Sequence, residues 1–312
     1  MAPQTENKIV LIVRATRLDE LVARYNTEAQ ARFYIEHLGA DFSDYQQEDA
    51  RYKAAVRAAR RTLQEMGRVQ VVDRSFVSNF IFGADDTVVV LGQDGLVANT
   101  LKYLAGQPVI GVNPDPARWE GALLPFGVRD LGRLLPEVFR GRRRITEVTM
   151  ARVELGDGQV LHAVNDLFIG ARTHISARYA IESCGVKEQH SSSGVIVSTG
   201  LGATGWFRSL MAGALTIAAT VGGETSVAPV LPVFPRDADY LYFTVREPFP
   251  STTSQASLVF GRVSKNDPLL LVSQMAESGV IFSDGMEQDY LEFNSGSQAT
   301  VRPATRKGHL VV

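Results

Sequence analysis

Short apolar runs alternate with amphipathic segments over the first half of the chain. The run Lys8–Val13 is apolar and rich in β-branched residues, as is typical of a strand buried on both faces. Similar runs follow at residues 69–72, Thr87–Leu91 and 108–112, and residues 97–104 between the last two fit a helix. Strands that alternate with helices predict a parallel sheet covered by helices.

A longer amphipathic helix is predicted between the first two runs. One apolar face is formed by residues spaced four and three apart, namely Tyr52, Val56, Ala59, Leu63 and Met66. Gly67 follows the last of them and is expected to end the helix.

The pattern changes after about residue 140. Short alternating segments, separated by Gly, Pro, Asp and Ser, lie at residues 145–153, 161–169, Tyr240–Val245 and Leu269–Ser273. They predict a largely antiparallel region with one helix at residues 206–220. The expected fold is an N-terminal Rossmann-like parallel α/β domain (residues 1–140) and a C-terminal β-rich, β-sandwich-like domain (residues 141–312). Whether the last segment returns to the first domain is a question that the sequence leaves open.

Composition narrows the classes of partner. The chain has 312 residues, 45% hydrophobic and 21% charged, with a formal net charge of -2. This is ordinary for a globular protein and gives no overall attraction to nucleic acid or anionic membranes, so any phosphate must bind at a local site. The single cysteine, Cys184, excludes an intrachain disulfide, and the five histidines are scattered without metal-ligand spacing. Without a targeting signal or an apolar run near 18 residues, we expect a cytoplasmic protein with no membrane partner.

A glycine-bearing loop follows the run that ends at Leu91. Residues Gly92, Gln93, Asp94 and Gly95 lead directly into the next predicted helix. In an open parallel sheet, ligands bind at the carboxyl ends of strands, where backbone N–H groups and a helix N-terminus favour phosphate. An aspartate there can hold Mg²⁺ or accept a proton from a hydroxyl. The alternative is an ordinary Asp-Gly turn.

Two further polar stretches lie in the second half. In residues 191–210, glycines permit tight turns, hydroxyl residues offer hydrogen bonds and Trp206 can stack on a planar ring. The alternative there is a helix cap followed by a core tryptophan. Asn165 and Asp166 stand side by side in an apolar stretch, where polar groups cost free energy unless they are paired or face a ligand. An Asx turn is the alternative for that pair.

Together and in this order, the three stretches resemble the NAD kinase family, within the superfamily that also holds diacylglycerol and sphingosine kinases. The family's Gly-Gly-Asp-Gly loop corresponds to residues 92–95. Its Asn-Glu pair corresponds to Asn165 and Asp166, and its Thr- and Gly-rich loop ending in an aromatic corresponds to residues 199–206.

The details are closest to the mitochondrial-type branch of that family. The features that look shared are Gly-Val-Asn-Pro-Asp-Pro at residues 111–116, Ser193 with Gly194, Trp206, and Ser-Asp-Gly at residues 283–285. The resemblance runs from about Val88 to Gly285.

The resemblance implies transfer of the γ-phosphoryl group of ATP to the 2′-hydroxyl of the adenosine ribose of NAD or NADH. Mg²⁺ would come with ATP, and the protein would form a homodimer or higher homo-oligomer. On that template Asp94 activates the hydroxyl, and the phosphates lie at Gly92, Gln93 and Gly95. The implied nucleotide-binding residues in the second half are Asn165, Asp166, Ser193, Thr199, Gly202, Thr204 and Trp206.

Four positions depart from the family pattern. Gln93 replaces a glycine, Asp166 replaces a glutamate, and Leu201 and Ala203 replace hydroxyl residues. A side chain at position 93 either narrows the phosphate approach or requires a backbone angle that glycine adopts more easily. Two other functions therefore stay open. One is a kinase of the same fold for another hydroxyl acceptor (a nucleoside, sugar or specialised metabolite), which Leu201 and Ala203 favour if they line the acceptor pocket. The other is a nucleotide-binding protein without catalysis, which Gln93 favours.

Overall fold

A computed structural model describes residues 5–222 and 234–312. The chain divides into two compact units. The first runs to Thr146 and also contains His309–Val312, and the second is Glu147–Gly308.

The first unit is a parallel sheet with helices. Its strands are β1 (Lys8–Val13), β2 (Arg68–Asp73), β3 (Thr87–Leu91), β4 (Pro108–Asn113) and β5 (Phe126–Gly127). Its helices are α1 (Arg17–Tyr25), α2 (Glu28–His37), α3 (Ser43–Met66), α4 (Asp94–Leu101) and α5 (Leu131–Phe139), with short 3-10 turns at Arg74–Asn79 and Val128–Asp130. The strand order is β2-β1-β3-β4, and every pair is parallel. His309 and Leu310 add a further parallel pairing to β4.

Burial explains why these segments are strands and helices. All five residues of β3 are buried, as expected of a parallel strand covered on both faces. On α3, Tyr52, Ala59 and Leu63 are buried in the core of the first unit, and Val56 and Met66 pack against it. The predicted apolar face of this helix is confirmed, and so is the parallel α/β character of the first unit.

The second unit consists mainly of antiparallel strands. They are β6 (Ile145–Leu155), β7 (Val160–Ala163), β8 (Asp166–Ala171), β9 (Ala177–Ser183), β10 (Val186–Ser192), β11 (Val195–Ser198), β12 (Tyr240–Val245), β13 (Phe260–Ser264), β14 (Leu269–Ser273), β15 (Gly279–Ser283), β16 (Met286–Glu292) and β17 (Gln298–Val311). A 3-10 turn at Gly202–Thr204 precedes helix α6 (Trp206–Gly222).

Two strand layers enclose the core of this unit. One layer has the order β13-β12-β11-β8-β15-β16, and in the other β10, β9, β14 and β17 pair in turn. Both layers bury apolar side chains in one cluster, for example Ile169 and Phe243 from the first and Tyr179 and Leu271 from the second. This arrangement confirms the predicted β-rich, sandwich-like region.

Two predicted boundaries are wrong, and each has a physical reason. The segment expected as one strand at residues 161–169 is broken at Val164 and Asn165. Their N–H groups donate to the side chain of Asp284 instead of to a neighbouring strand. The helix expected at residues 97–104 begins at Asp94, because a carboxylate is favourable in the first turn of a helix.

Helix α6 packs on its unit through one fully covered side chain. Of its residues only Phe207 is buried, although the helix is largely apolar and Arg208 carries its charge. Ile217 is 66% exposed and Val221 is 83% exposed. Among the helices formed by residues 5–222 and 234–312, none is long and apolar enough to cross a membrane.

Candidate functional site

The glycine-bearing loop of the first unit lies where the sequence predicts it, at the carboxyl end of β3. The N–H of Gly92 donates to the carbonyl of Val112 at 3.2 Å, which holds the loop beside the end of β4. The hydroxyl of Tyr52 donates to the carbonyl of Leu91 at 2.9 Å. The loop then enters α4, whose first N–H groups have no acceptor within the helix. This is a place at which a phosphate can bind.

The carboxylate of Asp94 is held on both oxygens. It accepts the N–H of Ala122 at 3.0 Å and the N–H of Leu123 at 2.8 Å. The side chain is half-buried at the start of α4. Its direction is therefore fixed by the loop between β4 and β5.

That loop, residues 114–125, is tied down at several points, and we call it the strap. The guanidinium of Arg118 donates two hydrogen bonds to the carboxylate of Asp44, at 2.8 and 2.7 Å. Gly111 gives the strap room, because a Cβ there would lie 1.9 Å from the carbonyl oxygen of Leu123. The strap thus connects α3 and β4 to the amides that hold Asp94.

Gln93 occupies ordinary backbone. Its φ of -120° and ψ of 164° are extended values that any residue adopts, so the backbone at this position does not require glycine. The side chain is partly exposed at the N-cap of α4 and makes no capping hydrogen bond. That the side chain of Gln93 narrows the approach of a phosphate to the loop stays a prediction.

In the second unit, Asp166 begins β8 beside a carboxylate that is bound by backbone amides. Asp284 accepts the N–H groups of Val164, Asn165 and Asp166 at 2.9, 2.7 and 3.3 Å. Asp284 and Gly285 both have positive φ and form the two-residue turn between β15 and β16, as in type I′ hairpins.

The side chain of Asp166 is in a different situation. Among residues 5–222 and 234–312, no hydrogen bond reaches its carboxyl oxygens. Burial, with the negative charge of Asp284 as the second cause, raises the pKa of Asp166 from 3.8 to about 7. Near neutral pH this carboxyl group can both give and take a proton.

Asp166 lines a cavity of about 430 Å³ in the second unit. Ser193 and Trp206 line it too, so residues from both polar stretches of the second half meet there. Gly194, with φ of 99°, lets the chain turn in front of β11; its carbonyl accepts the N–H of Arg246 at 2.8 Å. This pairing brings the side chains of Ser193 and Arg246 to the same cavity.

Four aromatic side chains form a row on this sheet, and we call them the aromatic row. Trp206 stacks on Phe168 with ring centroids 6.0 Å apart, Phe168 on Phe282 at 6.1 Å, and Phe282 lies 5.7 Å from Tyr290. The row follows from strand register, since Phe282 pairs with Phe168 on one side and with Tyr290 on the other.

Two guanidinium groups stand at the ends of the aromatic row. Arg246 lies 5.3 Å from the ring centroid of Trp206, and Arg172 lies 4.2 Å from that of Tyr290. Both arginines line the cavity. A planar ring that carries anionic groups would find stacking surfaces and positive charge together here.

Other site residues proposed from the sequence do not line this cavity. Thr199 is buried; its hydroxyl donates to the carbonyl of Val164 at 2.5 Å, and its N–H donates to the carbonyl of Asn165 at 2.9 Å. A Cβ on Gly202 would lie 2.1 Å from the carbonyl oxygen of Asn165. These residues shape the backbone around Asp166, while Thr204 is exposed on the 3-10 turn before α6.

The sequence reasoning missed the basic and aromatic part of the cavity. Phe168 lies two residues after Asp166, and alternation along a strand places both side chains on one face. That signal was available. Arg172 and Arg246 carry no motif, and only strand pairing brings them to the cavity.

A magnesium ion that came with ATP would find one carboxylate, that of Asp94, at the start of α4. In residues 5–222 and 234–312, no group of three or more His, Cys, Asp or Glu side chains could hold a metal ion. Mg²⁺ usually keeps several waters and binds through one or two carboxylates together with substrate phosphates. Such an ion can therefore accompany the phosphates of ATP.

Comparison with known proteins supports the fold directly. No family model matches the chain, and no curated protein matches it. The structure of an NAD kinase from Archaeoglobus fulgidus in complex with ATP is similar, with a TM-score of 0.56 and 15% identity over 98% of this chain and 93% of that one. Yeast NADH kinase complexed with NADH is similar as well, with a TM-score of 0.59 and 14% identity over 99% of this chain and 84% of that one. The chain has the fold of the NAD kinases, and the resemblance is confirmed at that level.

Proposed function

We propose that this protein is a kinase that transfers the γ-phosphoryl group of ATP to the 2′-hydroxyl of the adenosine ribose of NAD or NADH. One observation carries the proposal. Asp166, Ser193 and Trp206, which come from the two second-half stretches of the NAD kinase-like pattern, line one cavity in a chain with the NAD kinase fold.

The cavity has the chemistry that a dinucleotide requires. A nucleotide joins planar rings to anionic phosphates, and the aromatic row lies here between Arg172 and Arg246. Ser193 and Asp166 add hydrogen-bonding groups beside the rings. Of the two similar structures, one is complexed with NADH and the other is in complex with ATP.

The loop at residues 92–95 is the proposed place for ATP phosphates. The N–H groups at the start of α4 favour negative charge, and Mg²⁺ bound to ATP would offset the carboxylate of Asp94. Phosphoryl transfer depends mainly on positioning and on stabilising charge, so the strap that fixes Asp94 serves the reaction.

The alternative acceptors receive less support. They were favoured by Leu201 and Ala203, if these residues line the acceptor pocket. Both residues are buried and neither lines the cavity that contains Asp166. The alternative of a nucleotide-binding protein without catalysis rested on Gln93, whose backbone is unstrained. Neither alternative therefore has an observation of its own.

Assembly and location remain proposals. A homodimer or larger homo-oligomer would cover the apolar residues that α6 exposes, such as Ile217 and Val221. The cytoplasmic location expected from the sequence stays a prediction.

The test is a direct assay of the purified full chain with ATP, Mg²⁺ and either NAD or NADH. A coupled dehydrogenase that is specific for the phosphorylated product reports NADP or NADPH. We expect product from at least one acceptor, and we expect Asp94→Asn to lose at least about 100-fold in turnover.

Asp85→Asn is the control, because this carboxylate lies in the exposed turn before β3. It should leave turnover unchanged. If the unmodified protein forms no NADP(H) under any condition, the proposal is contradicted. If Asp94→Asn keeps full activity, the proposed role of Asp94 is contradicted.

A further inference from the structure

Arg246 lines the cavity of the second unit and carries a buried donor without a partner. Its Nε atom is buried, and no acceptor in residues 5–222 and 234–312 bonds to it. Its ion pair with Glu247 spans 3.9 Å, which is longer than a hydrogen bond. A buried donor of a charged group is costly without an acceptor, so we expect this side chain to meet its acceptor in a ligand.

We propose that Arg246 binds the pyrophosphate of the dinucleotide and thereby makes the site specific for NAD or NADH over a nucleoside or a sugar. This inference rests on the proposed function and deepens it, because it names the part of the acceptor that the cavity recognises. Arg246 acts here in binding and takes no part in the transfer of the phosphoryl group.

The backbone holds Arg246 in place. Its carbonyl accepts the N–H of Ser193 at 2.9 Å, and its own N–H donates to the carbonyl of Gly194 at 2.8 Å. Glu247, the next residue along the chain, has a φ of 42°. This left-handed conformation is unfavourable for a glutamate, and such residues concentrate at ligand sites. The chain therefore accepts local strain directly beside Arg246.

Stacking orients the side chain of Arg246 as well. Its guanidinium carbon lies 5.3 Å from the ring centroid of Trp206, at the end of the aromatic row. A guanidinium is planar and always charged, and its paired N–H groups match the oxygens of a phosphate. In NAD each ring is one ribose away from the pyrophosphate, so a ring in the aromatic row brings the pyrophosphate towards an end of that row.

The arginine at the other end of the aromatic row is less suited to this task. Arg172 is exposed, so water and salt screen its attraction for an anion. Arg246 is partly buried, and its side chain is 27% exposed. We therefore expect the pyrophosphate at the end of the row that Trp206 forms.

The carboxyl groups of the cavity make a cation necessary for such a ligand. Asp166, Asp284 and Glu287 line the same cavity. Their negative charges repel a pyrophosphate but not a neutral nucleoside or sugar. Without Arg246, this cavity would favour the neutral acceptors.

The experiment measures the Kd of NAD, NADH and ATP separately by calorimetry on the full chain, and NADP(H) formation by the coupled assay. Adenosine, which has the ribose 2′-hydroxyl but no phosphate, is titrated as an inhibitor. We expect Arg246→Gln to weaken binding of NAD and NADH about 10-fold to 100-fold, because hydrogen bonds between charged groups are lost. Inhibition by adenosine and the Kd of ATP should not change.

Two further variants separate charge from packing. Arg246→Lys keeps the charge without the planar fork and should weaken NAD binding less than Arg246→Gln does. Arg262→Gln is the matched control. Arg262 stacks at 3.9 Å from the ring centroid of Tyr240 and lies 3.8 Å from Asp239, which is 92% exposed, but it does not line the cavity. Its loss should leave NAD binding unchanged, and circular dichroism confirms that each variant folds.

Salt gives an independent measure of the same contact. Raising the salt concentration should weaken NAD binding to the unmodified chain and to Arg246→Lys more than to Arg246→Gln, because salt screens the interaction between charges. If adenosine inhibits neither protein, this difference decides the question.

Four outcomes would overturn the inference while leaving the proposed function intact. They are unchanged NAD and NADH binding in Arg246→Gln, an equal loss of adenosine inhibition, an equal loss of ATP binding, and a salt dependence that Arg246→Gln retains in full. If the unmodified chain makes no NADP(H), the proposed function itself fails. Binding by the variants and product formation by the unmodified chain thus report on the two claims separately.

Discussion

Asp94 and Asp166 are the same residue type at the starts of two elements, and their surroundings differ. Asp94 opens α4 with both oxygens bonded to backbone amides of the strap. Asp166 opens β8 with no such bond among the described residues and with Asp284 as a neighbouring negative charge. The first carboxylate is fixed in direction, and the second is free to exchange a proton.

The comparison shows that a sequence motif identifies a residue, whereas the surroundings of that residue in the fold determine its chemistry. A carboxylate that accepts two N–H groups is a rigid charge, suited to positioning. A buried carboxyl group without donors binds its proton more tightly and is suited to acid–base work. Each half of the comparison can be tested by changing what surrounds the aspartate.

The largest expected effect is on stability and comes from Asp166→Asn. The raised pKa means that the folded protein binds this proton more tightly than the unfolded chain does. Stability attributable to this group is therefore greatest near pH 4 and is lost as the pH rises to about 7. With 1.36 kcal/mol for each tenfold change in proton affinity, the loss is at most about 4 kcal/mol.

Asp166→Asn removes that loss. In urea unfolding followed by circular dichroism, the variant should match the unmodified protein near pH 4 and exceed its stability at pH 8. Asp239→Asn should show no such difference. Equal stability of Asp166→Asn and the unmodified protein at both pH values would show that the carboxyl group is not strained by burial.

A smaller effect is expected when the strap is displaced. Gly111→Ala puts a Cβ against the carbonyl oxygen of Leu123, so the strap or β4 must move. We expect a loss of about 1–3 kcal/mol in stability by urea unfolding, together with lower turnover, because Asp94 loses its amide partners.

The matched control is Gly132→Ala in α5. There the nearest atom to the new Cβ is Cγ2 of Thr62 at 3.8 Å, an ordinary contact, and alanine favours a helix. That variant should be no less stable than the unmodified protein. A Gly111→Ala protein of normal stability and turnover would remove the strap from the account.

The smallest effect is expected from Arg118→Gln. Hydrogen bonds from Arg118, and to a smaller extent from Arg17, lower the pKa of Asp44. The ion pair therefore stabilises the fold at pH values above the ordinary pKa of Asp44. This stabilisation is lost as the pH falls below that value. Both side chains are partly exposed, and such pairs contribute about 1 kcal/mol or less.

Arg118→Gln should therefore lower stability by about 1 kcal/mol or less at pH 7. The difference should shrink near pH 2 and in high salt. Arg152→Gln, which breaks the similarly exposed ion pair with Glu154 in the second unit, is the control and should leave turnover unchanged. A turnover defect in both variants would contradict a specific role of Arg118 in holding the strap.

The sequence was sufficient where a feature depends on local periodicity. The spacing along α3 fixed its apolar face, and the β-branched runs at Lys8–Val13 and Thr87–Leu91 gave buried parallel strands. The change after about residue 140, from amphipathic helical segments to short alternating segments, corresponds to a β-rich unit. These patterns follow from side chains that meet the core at every turn or every second residue.

The sequence was insufficient where distant segments meet. Nothing near Asn165 indicates that Asp284, more than a hundred residues later, takes the amides that would otherwise extend a strand. The two arginines at the ends of the aromatic row likewise become neighbours only through strand register. Gln93 looked strained beside a glycine motif, but its φ depends on the cap of α4 and is ordinary.

The most direct test of the account is the ionisation of Asp166 itself. NMR of the full chain with ¹³C-labelled aspartate side-chain carboxyls, recorded from pH 3 to 9 on the unmodified protein and on Asp166→Asn, isolates the resonance of this group. We predict that the resonance missing from the variant titrates with a midpoint of about 7. If that resonance titrates near 3.8 instead, Asp166 is an ordinary carboxylate and the contrast with Asp94 fails.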